Sequence, residues 1–542
     1  MKNARNLLCI LVALMLVAGI VAGCAPATPT PTPTTAATPT PDVIDPNHPT
    51  YVTKDKVTMS IFMLWFSNFA KTYADTAGAA KMEELTNVHI DYTCVAYQEF
   101  FEKHQLLISS GQLTDMVNNG DDVYPGGYTK GVADGVFIDM TDYVAKYMPH
   151  YKALLASDPQ VRKDATADDG TFPAIFMLRS NLMTLAPEPA WAGLMVRKDW
   201  LDDLGLAVPA TIADWENVLT QFKEKKGADA PLLIGKQADL SDDSFLTAYG
   251  VLSEFYNAAG TVKYGPIEPG YKQWVQLFHD WYAKGLINPN FISSQLDHVQ
   301  GDFTYLGTGR SGACTGIWGF SADAIKNMGI AQDAKFFMQG VQNPVLNAGD
   351  KPQAVHSGAT IVNQGITVAK SCKTPEVAAR WLDFQYTEQA MLLNCFGIEG
   401  EDYTLGADGK PAFTDKIMKN AEHPNPGDMI GLVSRGDGAG IVDWFRQTLT
   451  ASPTQLEAKA TWQKDATDLM LPAKMTFSAD EATQFAAKYT DIQTYVKEMT
   501  VKFILGEEPM ANYDAFVQAV KDMGIQSCID MKQTALGRYD AR

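Results

Sequence analysis

Short apolar runs alternate along this chain with stretches of helical period, and that alternation is what most limits the fold. "KVTMSIFMLWFS" (56–67) reads as a first strand. "YQEFFEKHQLLISSG" (97–111) puts Phe100, Phe101, His104, Leu107 and Ile108 on one helical face, with His104 expected as a partnered core residue. "GLMVRKDWLDDLGL" (193–206) reads as a strand followed by a short helix capped by Asp199 and stopped by Gly205. Thr211 and Asp214 make a capping-box pair for the next helix, which carries Trp215, Val218, Leu219 and Phe222 inward and ends at Gly227. In "SGATIVNQGITVAKSCKTPEVAARWLDFQYTEQAMLL" a strand precedes a Thr374 cap, Pro375 at the first helical position and one long helix. Residues 479–542 are amphipathic and helical throughout. Trp200, Trp215, Trp274 and Trp381 fall within helical patterns and are expected in the core. Strands alternating with helices predict an α/β fold.

The start of the chain differs. Lys2 and Arg5 precede an apolar run, Leu7 to Val21, that is short for a membrane span and closes in small residues before Cys24. This predicts a signal peptide over residues 1–23. Its ending resembles the bacterial lipobox, which implies a lipidated Cys24. Residues 25–41 contain only Ala, Pro and Thr, with six prolines and seven threonines, a composition that cannot bury apolar surface and stays near polyproline II. Residues 24–50 are therefore expected to be a tether, and at 3.1 Å per residue the stretch 25–50 reaches roughly 80 Å. The body from Tyr51 to Arg542 is long enough for two or three domains of roughly 150 residues, and no stretch in it is apolar enough to span a bilayer.

The net charge is −19, and two units more negative without Lys2 and Arg5. That argues against nucleic acid, which requires clustered Lys and Arg. Beyond Cys24 lie Cys94, Cys314, Cys372, Cys395 and Cys528, an odd number without a CxxC pair, so buried single thiols are expected rather than a disulfide framework or a zinc site. Gly307, Gly309 and Gly312 spell G-x-G-x-x-G but precede a strand-like "ACTGIW", the reverse of a dinucleotide site, and read as a tight turn. Asp164, Asp168 and Asp169-Gly170 lack the spacing of a calcium loop. No HExxH or G-x-S-x-G is present, and nothing argues for catalysis.

"WAGLMVRKDWLDDLGLAVPATIADW" (191–215), "GITVAKSCKTPEVAARWLDFQYTEQ" (365–389) and "GIEGEDYTLGADGKPAFTD" (397–415) resemble extracellular solute-binding proteins of carbohydrate ABC transporters (family 1), especially large LipO-like lipoproteins of Gram-positive type. The segments 491–525 and 533–542 are similar to the same family. The resemblance implies a two-lobed, type II periplasmic-binding-protein-like α/β fold, hinged between lobes, with extra C-terminal helices. The expected organisation is lobe 1 over 51–185, lobe 2 over 186–356, and 357–542 returning to lobe 1 with a helical region shared between lobes. A carbohydrate would bind in the cleft and pass to the permease, the membrane being touched only through the lipid, on the extracytoplasmic face of the cell membrane. A monomer that is not an enzyme is expected. A cell-surface glycoside hydrolase, or a sensory or adhesive lipoprotein, is the alternative.

Sugar rings present C–H faces to aromatic rings and hydroxyls to convergent polar groups. The resemblance therefore points to Trp318 in "GIWGFS" as a stacking platform, its flanking glycines leaving room for a ligand ring. It also points to Trp191 before the crossover strand, Trp65 at the end of the first strand, Asp115 after "ISSGQLTD", and Arg435 in a glycine-rich polar stretch. Many relatives carry a calcium-like insert where this chain runs directly through "KEKKGADAPLL", so neither a metal nor a cofactor is expected.

Overall fold

The first apolar run forms the strand Val57–Trp65, whose two faces are both covered. Ile61 and Met63 enter one hydrophobic core and Phe62 and Leu64 another, which is why the second half of the strand, residues 61–65, is continuously apolar rather than alternating. The computed structural model describes residues 44–65, 72–120, 124–187, 192–234, 243–292, 303–317, 325–326, 329–354, 360–423, 426–433, 438–464 and 467–542. The expected signal segment, Cys24 and most of the expected tether lie outside those residues.

Seven strands make the larger sheet. Gly440–Asp443, Ile175–Asn181, Ile361–Val368, Met116–Gly120, Val57–Trp65 and Val88–Ala96 lie in that order, with Thr184–Leu185 folded back on Ile175–Asn181. Val57–Trp65 runs parallel to Val88–Ala96 and to Met116–Gly120. Ile361–Val368 is antiparallel to both of its neighbours, and Gly440–Asp443 is parallel to Ile175–Asn181. All of the long strands except Ile361–Val368 therefore point their carboxyl ends to one edge.

A second sheet has four strands, in the order Met338–Gly340, Ala192–Arg197, Ala313–Ile317 and Leu232–Leu233. Ala192–Arg197 is antiparallel to both neighbours, and Leu232–Leu233 is parallel to Ala313–Ile317. The amino end of Ala192–Arg197 thus shares an edge with the carboxyl ends of the other three.

Each sheet has its own core. Trp381 and Phe396, from helices Pro375–Phe384 and Glu388–Phe396, pack under the larger sheet with Ile61, Met116 and Ile366. Leu194 and Val196 of the smaller sheet pack with Trp215, Phe222, Trp274 and Trp281. Ile492, Phe503 and Phe516 join that second core from helices Ala479–Leu505 and Tyr513–Asp522, and helix Ile525–Asp540 adds Cys528. Ala479–Leu505, with 27 residues, is about 40 Å long.

The local readings meet the structure unevenly. Helix Ile212–Lys226 has the expected Thr211–Asp214 capping box and a left-handed Gly227. His104 is fully buried between Phe62 and Phe100. The five cysteines past Cys24 are free thiols, four of them buried, and burial pushes Cys372 up to about 11. The three glycines of G-x-G-x-x-G precede the strand Ala313–Ile317, as expected, and a Cβ on Gly312 would strike Phe222.

Three expectations need correcting. The helix after Pro375 is two helices, because the chain leaves helical geometry at Gln385–Thr387 and Thr387 caps the second through Ala390 N. Asp199 is not a cap: its carboxylate takes the buried Arg197 guanidinium at 2.8 and 2.5 Å. Phe101 is 49% exposed, since Phe100 and His104 already fill that face.

Candidate functional site

Strand direction decides where a ligand can sit, because in open α/β sheets the carboxyl ends of strands leave a crevice where connections diverge. The chain passes between the two sheets three times; the first two passages join these edges, and the third starts from the carboxyl edge of the larger sheet. It leaves the larger sheet after Ile175–Asn181 and Thr184–Leu185 and enters the smaller at Ala192. It leaves the smaller after Met338–Gly340 and re-enters at Ile361, the amino end of the long antiparallel strand. It leaves again after Asp443 into helix Pro453–Gln463, which lies on the smaller sheet. There the Trp462 indole donates to Leu194 O at 3.0 Å and covers Gly193, where a Cβ would come within 2.5 Å of the ring.

A buried carboxylate clasps two of these passages. Asp443 Oδ2 accepts from Ser180 Oγ at 2.7 Å and from Met183 N at 2.9 Å, while Oδ1 accepts from Phe445 N at 3.0 Å. The turn it holds, Leu182–Met183, has φ of 49° and 65°, left-handed geometry that neither side chain favours. Such strain persists only where the surroundings enforce it, and here the Met183 amide is fixed by Asp443.

Trp65 stands at the carboxyl end of its strand, half-buried, with its ring edge-on to Tyr73 at 6.1 Å between centroids. In the parallel register Ile61 faces Met116 and Phe62 faces Val117 on the next strand. Asn118, the next residue on that strand, is completely buried, and among the described residues neither its amide oxygen nor its nitrogen has a hydrogen-bond partner. Trp444, directly after Asp443, is half-buried and its buried indole N–H is also without a partner. An unpaired buried polar group costs about 1–3 kcal/mol, so both are paired by something else or tolerated for a purpose. Trp65 closes and Trp444 follows strands that lie four positions apart in the sheet order, roughly 19 Å across the sheet, so only an extended molecule with both apolar faces and hydroxyls spans the two rings.

The structure does not bring Asp115 to this edge. It precedes Met116–Gly120, at the amino end of that strand, where Oδ2 accepts from the Ser60 amide and hydroxyl, both at 2.9 Å. Ser60 is five residues before Trp65, roughly 16 Å of extended chain. Trp191, Trp318 and Arg435 lie outside the described residues; Trp318 follows in sequence the strand that ends at Ile317. Asn118 and Trp444 were not singled out in the sequence. The available signal was a polar Asn-Asn-Gly closing an apolar strand and a tryptophan directly after an acidic strand end. Among the described residues no cluster of three or more His, Cys, Asp or Glu side chains could hold a metal ion.

Comparison with known proteins adds an independent line. Residues 67–392 match the family model described as bacterial extracellular solute-binding protein. The fructooligosaccharide ABC transporter substrate-binding protein FusA of Streptococcus pneumoniae is 23% identical over 494 residues, 85% of this chain and 86% of that protein. Lipoprotein LipO of Bacillus subtilis is 23% identical over 460 residues, 82% and 85% of the two chains. Among solved structures, that of the alginate-binding protein AlgQ2 without calcium ion superposes with a TM-score of 0.74 at 20% identity, over 90% of this chain and 99% of that one. The last likeness concerns the fold, which is two-lobed.

Proposed function

This chain belongs to the bacterial extracellular solute-binding protein family, and from that premise we propose that it captures an oligosaccharide or sugar derivative between its two sheets and delivers it to an ABC permease. The observation that carries the reading is that all three passages start or end at the carboxyl edge of the larger sheet, where Trp65 and Trp444 stand half-buried at two strand ends. FusA is named for fructooligosaccharides and AlgQ2 for alginate, so both neutral and uronic sugars occur among proteins of this fold. Trp65 and Trp444 are the proposed platforms, with Asn118 as a donor–acceptor. Trp318, Trp191 and Arg435 complete the proposal from sequence. Asp115 is better explained by its bonds to Ser60.

The anchored location belongs to the same proposal. Among the described residues no helix is long and apolar enough to cross a membrane. LipO is named a lipoprotein, which supports lipidation at Cys24; a tether to residue 50 and a monomeric body working outside the cell membrane belong to the same proposal. Residues 51–185, 186–356 and 357–542 remain the proposed division, with the helical region from Ala479 on shared between the lobes and contributing to the second core.

A thermal-shift screen of the full chain against neutral and uronic mono- and oligosaccharides tests the reading. Ligand at a hundred times its Kd stabilises the native state by about 2.7 kcal/mol, a rise of several degrees. A concentration-dependent rise with at least one sugar is expected. A flat response across the panel would turn attention to peptides and other solutes.

A further inference from the structure

The two hydrophobic cores are tied together a second time, far along the chain from the three passages. Helix Pro159–Ala165 belongs to the first core through Val161 and Ala165, and Asp168 follows it. Helices Ala479–Leu505 and Ile525–Asp540 belong to the second core. Between them Arg538 donates to Asp168 Oδ2 at 2.6 Å and to both oxygens of Glu481 at 2.9 and 2.6 Å. Arg542 donates to Asp168 Oδ1 at 2.9 and 2.6 Å and to the carbonyls of Lys163, Thr166 and Lys474. The Tyr539 hydroxyl donates to Asp164 and accepts from Gln160 at 2.6 Å, with the Lys163 ammonium 4.3 Å from its ring. The first turn of Ala479–Leu505 also lies on the first body, where Ala482 packs against Gly126.

We infer that this cluster is an ionic strap, which fixes how far the two lobes of the solute-binding fold rotate about their passages. Surface ion pairs singly contribute little. Here two guanidiniums share the Asp168 carboxylate, and Arg538 also grips Glu481 in forked geometry. The Arg542 side chain is almost wholly buried, and Asp168 lies on the first body while the arginines close a helix of the second. Any rotation that separates Asp168 from helix Ile525–Asp540 must break several charge-assisted bonds together. The strap therefore restricts the ligand-free ensemble, and binding selects from a narrower set of conformers. The inference rests on the two-lobed receptor reading only for its consequence in binding.

Single-molecule energy transfer on the full chain tests it. Dyes are attached through azide-bearing residues replacing the exposed Ser109 and Glu224, one on each body. The unliganded chain at about 0.05 M salt is expected to give a narrow distribution. Arg538→Gln with Arg542→Gln should broaden and shift it. Salt of about 1 M, where the Debye length falls to about 3 Å, should move the unsubstituted chain only part of the way toward the variant, since buried pairs are screened less than exposed ones, and leave the variant unchanged. Should the double variant fail to fold, Asp168→Asn, which removes the charge but keeps an acceptor, is read instead. A distribution that coincides with the unsubstituted chain at both salts overturns the strap. Sugar addition is read separately, so a strap without a sugar response would sink the receptor reading alone.

Discussion

At the scale of single residues, the orphaned polar groups separate binding from stability. Asn118 has no partner inside a packed core, so Asn118→Leu removes an unpaired amide at little change in volume. Its unliganded melting temperature is expected to rise, by the equivalent of about 1–3 kcal/mol, while sugar binding weakens. A fall in both would make Asn118 a structural residue. Trp444→Phe keeps an aromatic face and deletes the unpartnered N–H. The account expects an unchanged unliganded melting temperature and a loss of affinity of about tenfold or less, the worth of one net hydrogen bond, read by calorimetric titration. Little of this was legible beforehand. Asn118 looks in sequence like the polar end of a strand, and only its burial identifies it. Asp115, by contrast, looks like a cleft carboxylate until its Ser60 bonds appear. A side chain's partner is a tertiary fact, and one sequence does not carry it.

Elements were easier to read, because caps and periodicity are local. Thr211, Gly205 and Gly227 act where they stand, and they bound their helices as expected. The break at Gln385–Thr387 escaped notice because its cause lies outside the helix: Gly440 of a distant strand approaches the Gln385 carbonyl, and Ile441 N donates to it. The passages are likewise tertiary. Gly193 exists to admit Trp462, so Gly193→Ala should lift helix Pro453–Gln463 from the smaller sheet and destabilise the chain by about 1–3 kcal/mol, measured as a lower denaturation midpoint. An unchanged midpoint would mean the helix shifts freely. Asp443→Asn leaves one acceptor oxygen for three donors, and a similar loss is expected, with faster amide exchange over residues 182–187 and 444–449 as its local signature.

For the whole molecule, charge and topology act together. The Arg538 guanidinium beside Glu481 holds that carboxyl below the usual carboxylate range, the cap at Ser478 adding to it against the opposing effect of burial. A carboxylate depressed on folding adds stability that is present above its unfolded value, about 4.3, and lost as pH falls through the lower folded value. The difference in melting temperature between the parent chain and Arg538→Gln should therefore shrink as pH drops below about 4; a difference constant down to pH 3 would detach Glu481 from the strap. The α/β class was legible from alternation, and the family from long motif segments. The direction of the strands was not, and it is strand direction that brings every passage to one edge.

The central claim is that this edge holds a sugar and returns it unaltered. The most direct measurement is equilibrium binding of labelled fructo- and uronic oligosaccharides to the full chain, followed by release and chromatography of the bound fraction. The account predicts saturable binding of one sugar per chain, with the released sugar unchanged in length. Shortened products would make the cleft an enzyme's, and no saturable binding by either class would contradict the account outright.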